Sequence, residues 1–195
     1  MFEVVAFAVA AGCLFGLSTL MVVSLLAPER RPWPAGDDDR KRCVYLALSR
    51  PLLPTVFATG VLDWNAGPLA APWRLAVGAV GILIAFAVLS KSAVDLGEDA
   101  TEGREDELRT DGLYRYTRNP QNVGYGLLFA AYAVLANSPL VGALAVAVAV
   151  FGVLQVLAEE AWLRDTYGDA YEAYCERVPR FVGVRTFARA LNDDD

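Results

Sequence analysis

The sequence predicts an all-α polytopic membrane protein of about five transmembrane helices with a C-terminal interfacial amphipathic helix, built as a single integral membrane domain over residues 1–195. Three observations carry this. Hydrophobic residues make up 55% of the chain, against about 45–50% in ordinary globular domains. Five stretches approach the roughly 20 apolar residues needed to cross a hydrocarbon layer with every backbone group satisfied inside the segment. Lys and Arg collect in alternate connecting segments, as short cytoplasmic loops require.

The first stretch runs from Phe2 to Ala27 with Glu3 as its one charge. It lacks the basic leader of a signal peptide and exceeds a typical apolar signal core, so it is expected to span. Its Gly12 and Gly16 are spaced for a close helix contact. The second, Cys43 to Leu62, holds Arg50, Pro51 and Pro54 and is the weakest of the five. The third runs from Leu69 to Ser90 with Arg74 near its start. The fourth and fifth, Asn122 to Ala136 and Leu140 to Ala158, are separated by Asn137-Ser138-Pro139. That string is turn-forming, so a helical hairpin is expected.

Orientation follows from the basic residues. Residues 28–42, 91–121 and 159–195 hold five each, which accounts for 15 of 17, whereas 63–68 and 137–139 hold none. Five spans then put the N-terminus outside and the three polar segments, with the C-terminus, in the cytoplasm, most simply at the cell membrane.

Cys13, Cys43 and Cys175 are too scattered for a metal site or a disulfide framework, and the chain has no histidine. Histidine-based catalysis is excluded, and no metal is expected. A net charge of −6, with acidic runs at Asp37–Asp39 and Asp193–Asp195, argues against nucleic-acid binding.

Polar residues concentrate at two places. The string Thr110 to Asn122 precedes the fourth span. Asp111-Gly112 forms a turn and Pro120 suits the first helical position, so Arg118 and Asn119 stand at a helix mouth that favours anions. Glu159 and Glu160 end the fifth span, and an antiparallel hairpin brings its two ends together. Arg118-Asn119 and Glu159-Glu160 should therefore converge. Beyond them Leu163, Tyr167, Tyr171, Tyr174 and Val178 recur at helical spacing, an amphipathic stripe suited to the headgroup region. Fixed charges of both signs under an aromatic-faced helix suit a zwitterionic ligand and a partner drawn from the lipid bilayer. Simple topology anchoring by Arg and a solvated Glu pair would give the same spacing.

These residues resemble the isoprenylcysteine carboxyl methyltransferase and phospholipid methyltransferase superfamily of integral membrane enzymes. The likeness covers residues 108–181, the family-like catalytic region. It comprises Thr110, Gly112, Tyr114 and Arg115, then Arg118-Asn119-Pro120 and Gly124, the hairpin, Glu159-Glu160, Leu163, Tyr167-Gly168, Tyr171, Tyr174 and Val178-Pro179-Arg180. The resemblance implies methyl transfer from S-adenosylmethionine to a membrane lipid or other lipophilic acceptor. It places cofactor contacts at Leu108, Arg109, Tyr114, Asn119, Pro120, Gln121, Asn122 and Glu159, with Arg118 and Glu160 as the catalytic candidates.

Methyl transfer is an in-line displacement that positioning alone can accelerate strongly. The cofactor's ammonium and carboxylate suit a Glu and either an Arg or helix N–H groups.

Three positions depart from the family pattern. Asn119 replaces the usual histidine and can match its hydrogen bonding but cannot act as a proton carrier, Asn122 replaces a tyrosine, and Gln155 stands where the isoprenylcysteine branch has a carboxylate-binding arginine. The missing charge at 155 leads to the expectation of a neutral or amine-bearing acceptor. Two other functions stay open on the sequence: a non-catalytic membrane binding or assembly protein, motivated by Asn119 and Asn122, and an NADPH-dependent membrane reductase.

Overall fold

The computed structural model describes residues 1–69, 71–96, 108–183 and 186. Arg104, Arg185, Arg189 and the acidic run Asp193–Asp195, used above in the charge pattern, lie outside the described residues. Within them the chain is helical: α1 (Phe2–Leu26), α2 (Asp39–Ser49), α3 (Leu52–Leu62), α4 (Trp73–Leu96), α5 (Pro120–Ala136), α6 (Pro139–Tyr167) and α7 (Asp169–Arg177). Two short 3-10 turns, Pro28–Arg30 and Gly112–Arg115, lie between helices.

Among the described residues, four helical stretches are long and apolar enough to cross a membrane: α1, α2 with α3 taken together, α4 and α6. The chain is an integral membrane protein of polytopic all-α type. The fifth, α5, has 17 residues, the lower end of the spanning range of about 17–25. Large apolar side chains such as Phe15, Leu83 and Val146 are exposed on the outer faces of α1, α4 and α6, where lipid solvates them.

The weakest expected span is continuous in direction but broken in hydrogen bonding. Asp38 caps α2, its Oδ1 accepting from the N–H of Arg40 at 3.0 Å and of Lys41 at 3.2 Å. The helix then stops at Arg50-Pro51 and resumes at Leu52. Pro51 and Pro54 lack N–H groups, which removes two rungs of the helical ladder three residues apart. Both Arg50 and Pro51 nevertheless keep right-handed helical dihedrals.

α4 packs along α5, α5 pairs with α6, and α6 with α3 packs on α1. The apolar core lies between α1, α3, α5 and α6, with Leu17, Met21, Val56, Phe129 and Leu144 fully enclosed. The α4–α5 seam is tight. A Cβ on Gly78 would stand 2.6 Å from Cβ of Leu135 and 2.8 Å from its backbone, and one on Gly81 would stand 2.7 Å from Cβ of Ala131. Such small-residue seams let backbones approach closely in lipid. The expected Gly12–Gly16 contact is only half realised: Gly16 faces Leu48, whereas Gly12 opens to space.

The hairpin turn is sewn to the loop after α3. Asn137 adopts a left-handed conformation (φ 49°). Its Oδ1 accepts from the N–H of Leu69 at 2.9 Å, and its Nδ2 donates to Asn65 Oδ1 at 3.0 Å and to the Gly67 carbonyl at 2.9 Å. Ser138 caps α6 by accepting from the Val141 N–H at 3.1 Å and donates to Asp63 at 2.5 Å. Arg74 closes the knot, donating to the Leu135 carbonyl and, at 2.9 Å, to Asn65.

From that shared end α5 rises about 26 Å and α6 about 43 Å at 1.5 Å per residue. The first turn of α5 therefore ends about one turn short of Glu159 and Glu160, and α6 overhangs it. The amphipathic stripe expected as one helix is split. Gly168 (φ 50°) ends α6, and α7 starts at Asp169. The stripe is still one cluster, because Tyr171, Tyr174 and Val178 pack with Leu108, Leu163, Tyr167 and Cys175 across the bend.

Candidate functional site

Two neighbouring glutamates at the top of α6 face different surroundings, because successive helical residues diverge by about 100°. Glu160 is 2% exposed and meets three guanidinium groups. Arg180 binds it in bidentate fashion, Nε to Oε1 at 2.8 Å and a terminal nitrogen to Oε2 at 2.7 Å. Arg118 lies 3.1 Å from Oε1 and Arg164 3.6 Å from Oε2. Arg118 also contacts the Cys175 sulfur and stacks 5.9 Å over the Tyr171 ring. The Glu160 carboxylate holds the Arg180 guanidinium above its already high ordinary value, against the opposing effect of burial.

The backbone around Arg180 is fixed as well. Its carbonyl accepts from Thr117 Oγ1 at 3.2 Å and from Asn119 Nδ2 at 2.9 Å, while the Arg118 N–H donates to the Pro179 carbonyl at 3.0 Å. The segment before α5 and the segment after α7 are thus laced together over Glu160. Arg118 and Asn119 do converge with the glutamates, but their functional groups are spent largely on this lacing. Asn119 precedes α5 without capping it, since its amide points to Arg180.

Glu159 faces the interior of the bundle. Its Oε1 accepts from Trp33 Nε1 at 2.7 Å and from Gln155 Nε2 at 2.9 Å. Oε2 has no hydrogen-bond partner among the described residues. Trp33 is buried and stacks on Tyr45 of α2 with ring centroids 3.8 Å apart, and its backbone N–H donates to Ser24 Oγ at 3.0 Å. Tyr114 sits in the second 3-10 turn, which Asp95 holds by accepting from the Leu113 N–H at 2.9 Å. Burial first and the charge of Glu159 second push its phenol above the ordinary value of 10. The Tyr114 carbonyl accepts from Tyr174 Oη at 2.6 Å.

Gln121 and Asn122, in the first turn of α5, line a cavity of about 650 Å³ between α1, α2, α3, α5 and α6. Gln155 lines it as well, and through its bond to Glu159 joins the cavity to the carboxylate. The ten candidate residues thus fall into distinct settings. Gln121 and Asn122 open on the cavity; Glu159 is joined to it through Gln155; Tyr114 lies within reach of the charge of Glu159; Leu108 packs in the aromatic cluster beside half-buried Arg109 in sequence; Pro120 is buried at the start of α5; and Arg118, Asn119 and Glu160 belong to the lacing.

A family model for phospholipid methyltransferases matches residues 73–170, 98 of the 195. The chain belongs to the phospholipid methyltransferase family. The match runs from α4 through α6 into the start of α7, and so includes the Tyr114 turn, the α5 entry and both glutamates. No curated protein and no solved structure matches the chain significantly. Family membership and the apolar helices together make this phospholipid methyltransferase family protein a membrane methyltransferase in kind.

The sequence gives no site role to four participants: Trp33 and Tyr45, which back Glu159, and Arg164 and Arg180, which enclose Glu160, although Arg180 stands in the family-like string. Trp33 is 126 residues from its partner, and no local pattern connects them. Arg164 is detectable in principle, lying one helical turn after Glu160.

Proposed function

We propose that this protein transfers the methyl group of S-adenosylmethionine to a lipid or other membrane-soluble acceptor at the cytoplasmic face of the cell membrane. The supporting observation is the Glu159 carboxylate. One oxygen is oriented by Trp33 and by Gln155, a residue that lines a cavity among apolar helices, and the other has no partner among the described residues. These residues fit the cofactor: a fixed carboxylate suits its ammonium or ribose hydroxyls, and the uncapped start of α5 suits its carboxylate. When bound, the cofactor supplies an electrophilic methyl whose carbon–sulfur bond breaks as the acceptor's lone pair attacks.

The chain's own work is placement and proton removal. Trp33 and Gln155 hold Glu159 in one rotamer, so the ligand meets a preorganised charge. Tyr114, neutral through the physiological range, offers an aromatic wall beside that charge. Glu160, the residue after Glu159, acts at a distance by keeping Arg180 and the chain after it in position. An amine acceptor must shed a proton before attack, and with no histidine in the chain Glu159 or water receives it. The N-out, C-in orientation rests on the basic residues, 15 of 17 of which fall in three alternate segments.

Isothermal titration of the detergent-solubilised protein tests the cofactor. S-adenosylhomocysteine should bind saturably and NADPH should give no heat. Binding of NADPH alone would favour a reductase, and silence with both would leave a non-catalytic membrane protein.

A further inference from the structure

Two basic residues fall outside the three segments that carry all the others: Arg50 and Arg74. Arg74 is explained by its surroundings. It is 8% exposed, bonded to Leu135 and Asn65, and lies 5.6 Å over the Trp64 ring. Arg50 makes no side-chain hydrogen bond or ion pair among the described residues. It stands at the Pro51 break, about 18 Å along the span from Leu62, within a hydrocarbon layer of about 30 Å. A cation at that depth is costly, and where it persists it marks a ligand or ion path. Arg50 lines the cavity of about 650 Å³, and so does Gln155 on α6.

The cavity is amphipathic. Leu17, Leu52, Phe129 and Val148 furnish an apolar wall, whereas Ser49, Arg50, Asn122 and Gln155 furnish a polar one. Its size is in the range of about 300–1,000 Å³ typical of ligand sites. Phe181, next to the clamped Arg180, contributes to the lining from the C-terminal segment.

We infer that this cavity is the acceptor chamber and that Arg50 selects an amphiphile bearing an anionic group, a phosphodiester or a carboxylate. The acceptor's chains lie on the apolar wall, its anion pairs with Arg50, and its nucleophilic end reaches past Gln155 toward Glu159. Gln155 and Glu159 are one helical turn apart, about 6 Å along the axis of α6. The positive charge that position 155 lacks is supplied by Arg50 at the break between α2 and α3, outside the family-matched residues 73–170. The role of Arg50 in selecting an acceptor rests on the methyl-transfer function proposed above; the anion-binding chamber itself is tested apart from it.

The experiment is isothermal titration in uncharged detergent with three short-chain probes: dihexanoylphosphatidylethanolamine, decanoate and uncharged dihexanoylglycerol. At least one of the two anion-bearing probes, the zwitterionic phosphatidylethanolamine or decanoate, should bind about tenfold or more tightly than dihexanoylglycerol, and the preferred one identifies the anion. Arg50→Gln should erase that difference and Arg50→Lys should retain part of it. Gly126→Leu keeps Arg50 but fills the chamber, since a Cβ at Gly126 meets nothing within 4 Å and the residue lines the cavity; it should weaken all three probes. Equal affinity of charged and uncharged probes for the wild type, unchanged affinity in folded Arg50→Gln, or unchanged affinity in Gly126→Leu overturns the inference. S-adenosylhomocysteine is titrated into the same samples. If it is silent while the Arg50 effect persists, methyl transfer fails and the anion chamber stands; if it binds while Arg50→Gln changes nothing, the reverse holds.

Discussion

Replacing Glu160 by Gln should unfold the protein more readily without acting directly on ligand binding. Its side chain is 3% exposed and that of Arg118 9%, so the pair is buried, whereas Arg180 at 41% and Arg164 at 45% are well solvated. Removing one partner of a buried pair costs about 3–5 kcal/mol, chiefly because the other charge is left uncompensated. The two solvated arginines each contribute below about 1 kcal/mol. Gln retains one oxygen to accept a hydrogen bond, which puts the loss near the lower bound, about 3 kcal/mol. For a chain of this size that corresponds to a fall of roughly 6–12 °C in the unfolding midpoint. Thermal unfolding in detergent, followed by near-ultraviolet circular dichroism, measures it. Adding Arg118→Met should recover part of the loss, since no buried charge then remains unpaired at that position. A Glu160→Gln variant that melts with the wild type yet no longer transfers methyl groups, with S-adenosylhomocysteine binding normal, would refute the structural role and return Glu160 to catalysis.

The neighbouring substitution should behave in the opposite way. Glu159→Gln keeps an oxygen for Trp33 and Gln155, so stability should change by no more than about 1 kcal/mol, while S-adenosylhomocysteine affinity falls about tenfold or more; equal affinity by titration would count against the cofactor site. The buried phenols of Tyr114 and Tyr171 are both raised above 10, by burial first and then by Glu159 and Glu160 respectively. The unfolded chain releases those protons first, so stability should drop as pH rises past about 10, and unfolding midpoints that stay level to about pH 11 would contradict this. A reporter fused after Asp195 that matures only outside the cytoplasm should stay dark; a signal would reverse the orientation.

The hairpin was legible because Asn137-Ser138-Pro139 combines a left-handed C-cap, an N-cap and a helix-initiating proline in three consecutive residues. The convergence of Arg118 with Glu160 followed from antiparallel geometry alone. Which glutamate faced which partner did not, since helical phase relative to the neighbours is set by packing on α1 and by the chain after α7. Arg50 counted against a span when read locally; in three dimensions it occupies a break whose free side opens on a cavity. Gly168 was readable as a helix terminator, but the regular spacing from Leu163 to Val178 outweighed it because the bend preserves the aromatic cluster.

The overhang of α6 ties the chemistry to the thickness of its solvent. Its 29 residues are pinned at one end by the Asn137 knot, and about 13 Å of helix extends past a hydrocarbon layer of average depth. The rod works as a depth gauge: its fixed length sets how far Glu159 stands from the acyl chains, and a thicker bilayer draws that carboxylate toward them. A helix that meets such mismatch responds by tilting or by deforming the lipid around it, at a cost of fractions of a kcal/mol per Å. Sterol content and chain length therefore become variables of the reaction alongside the concentrations of donor and acceptor.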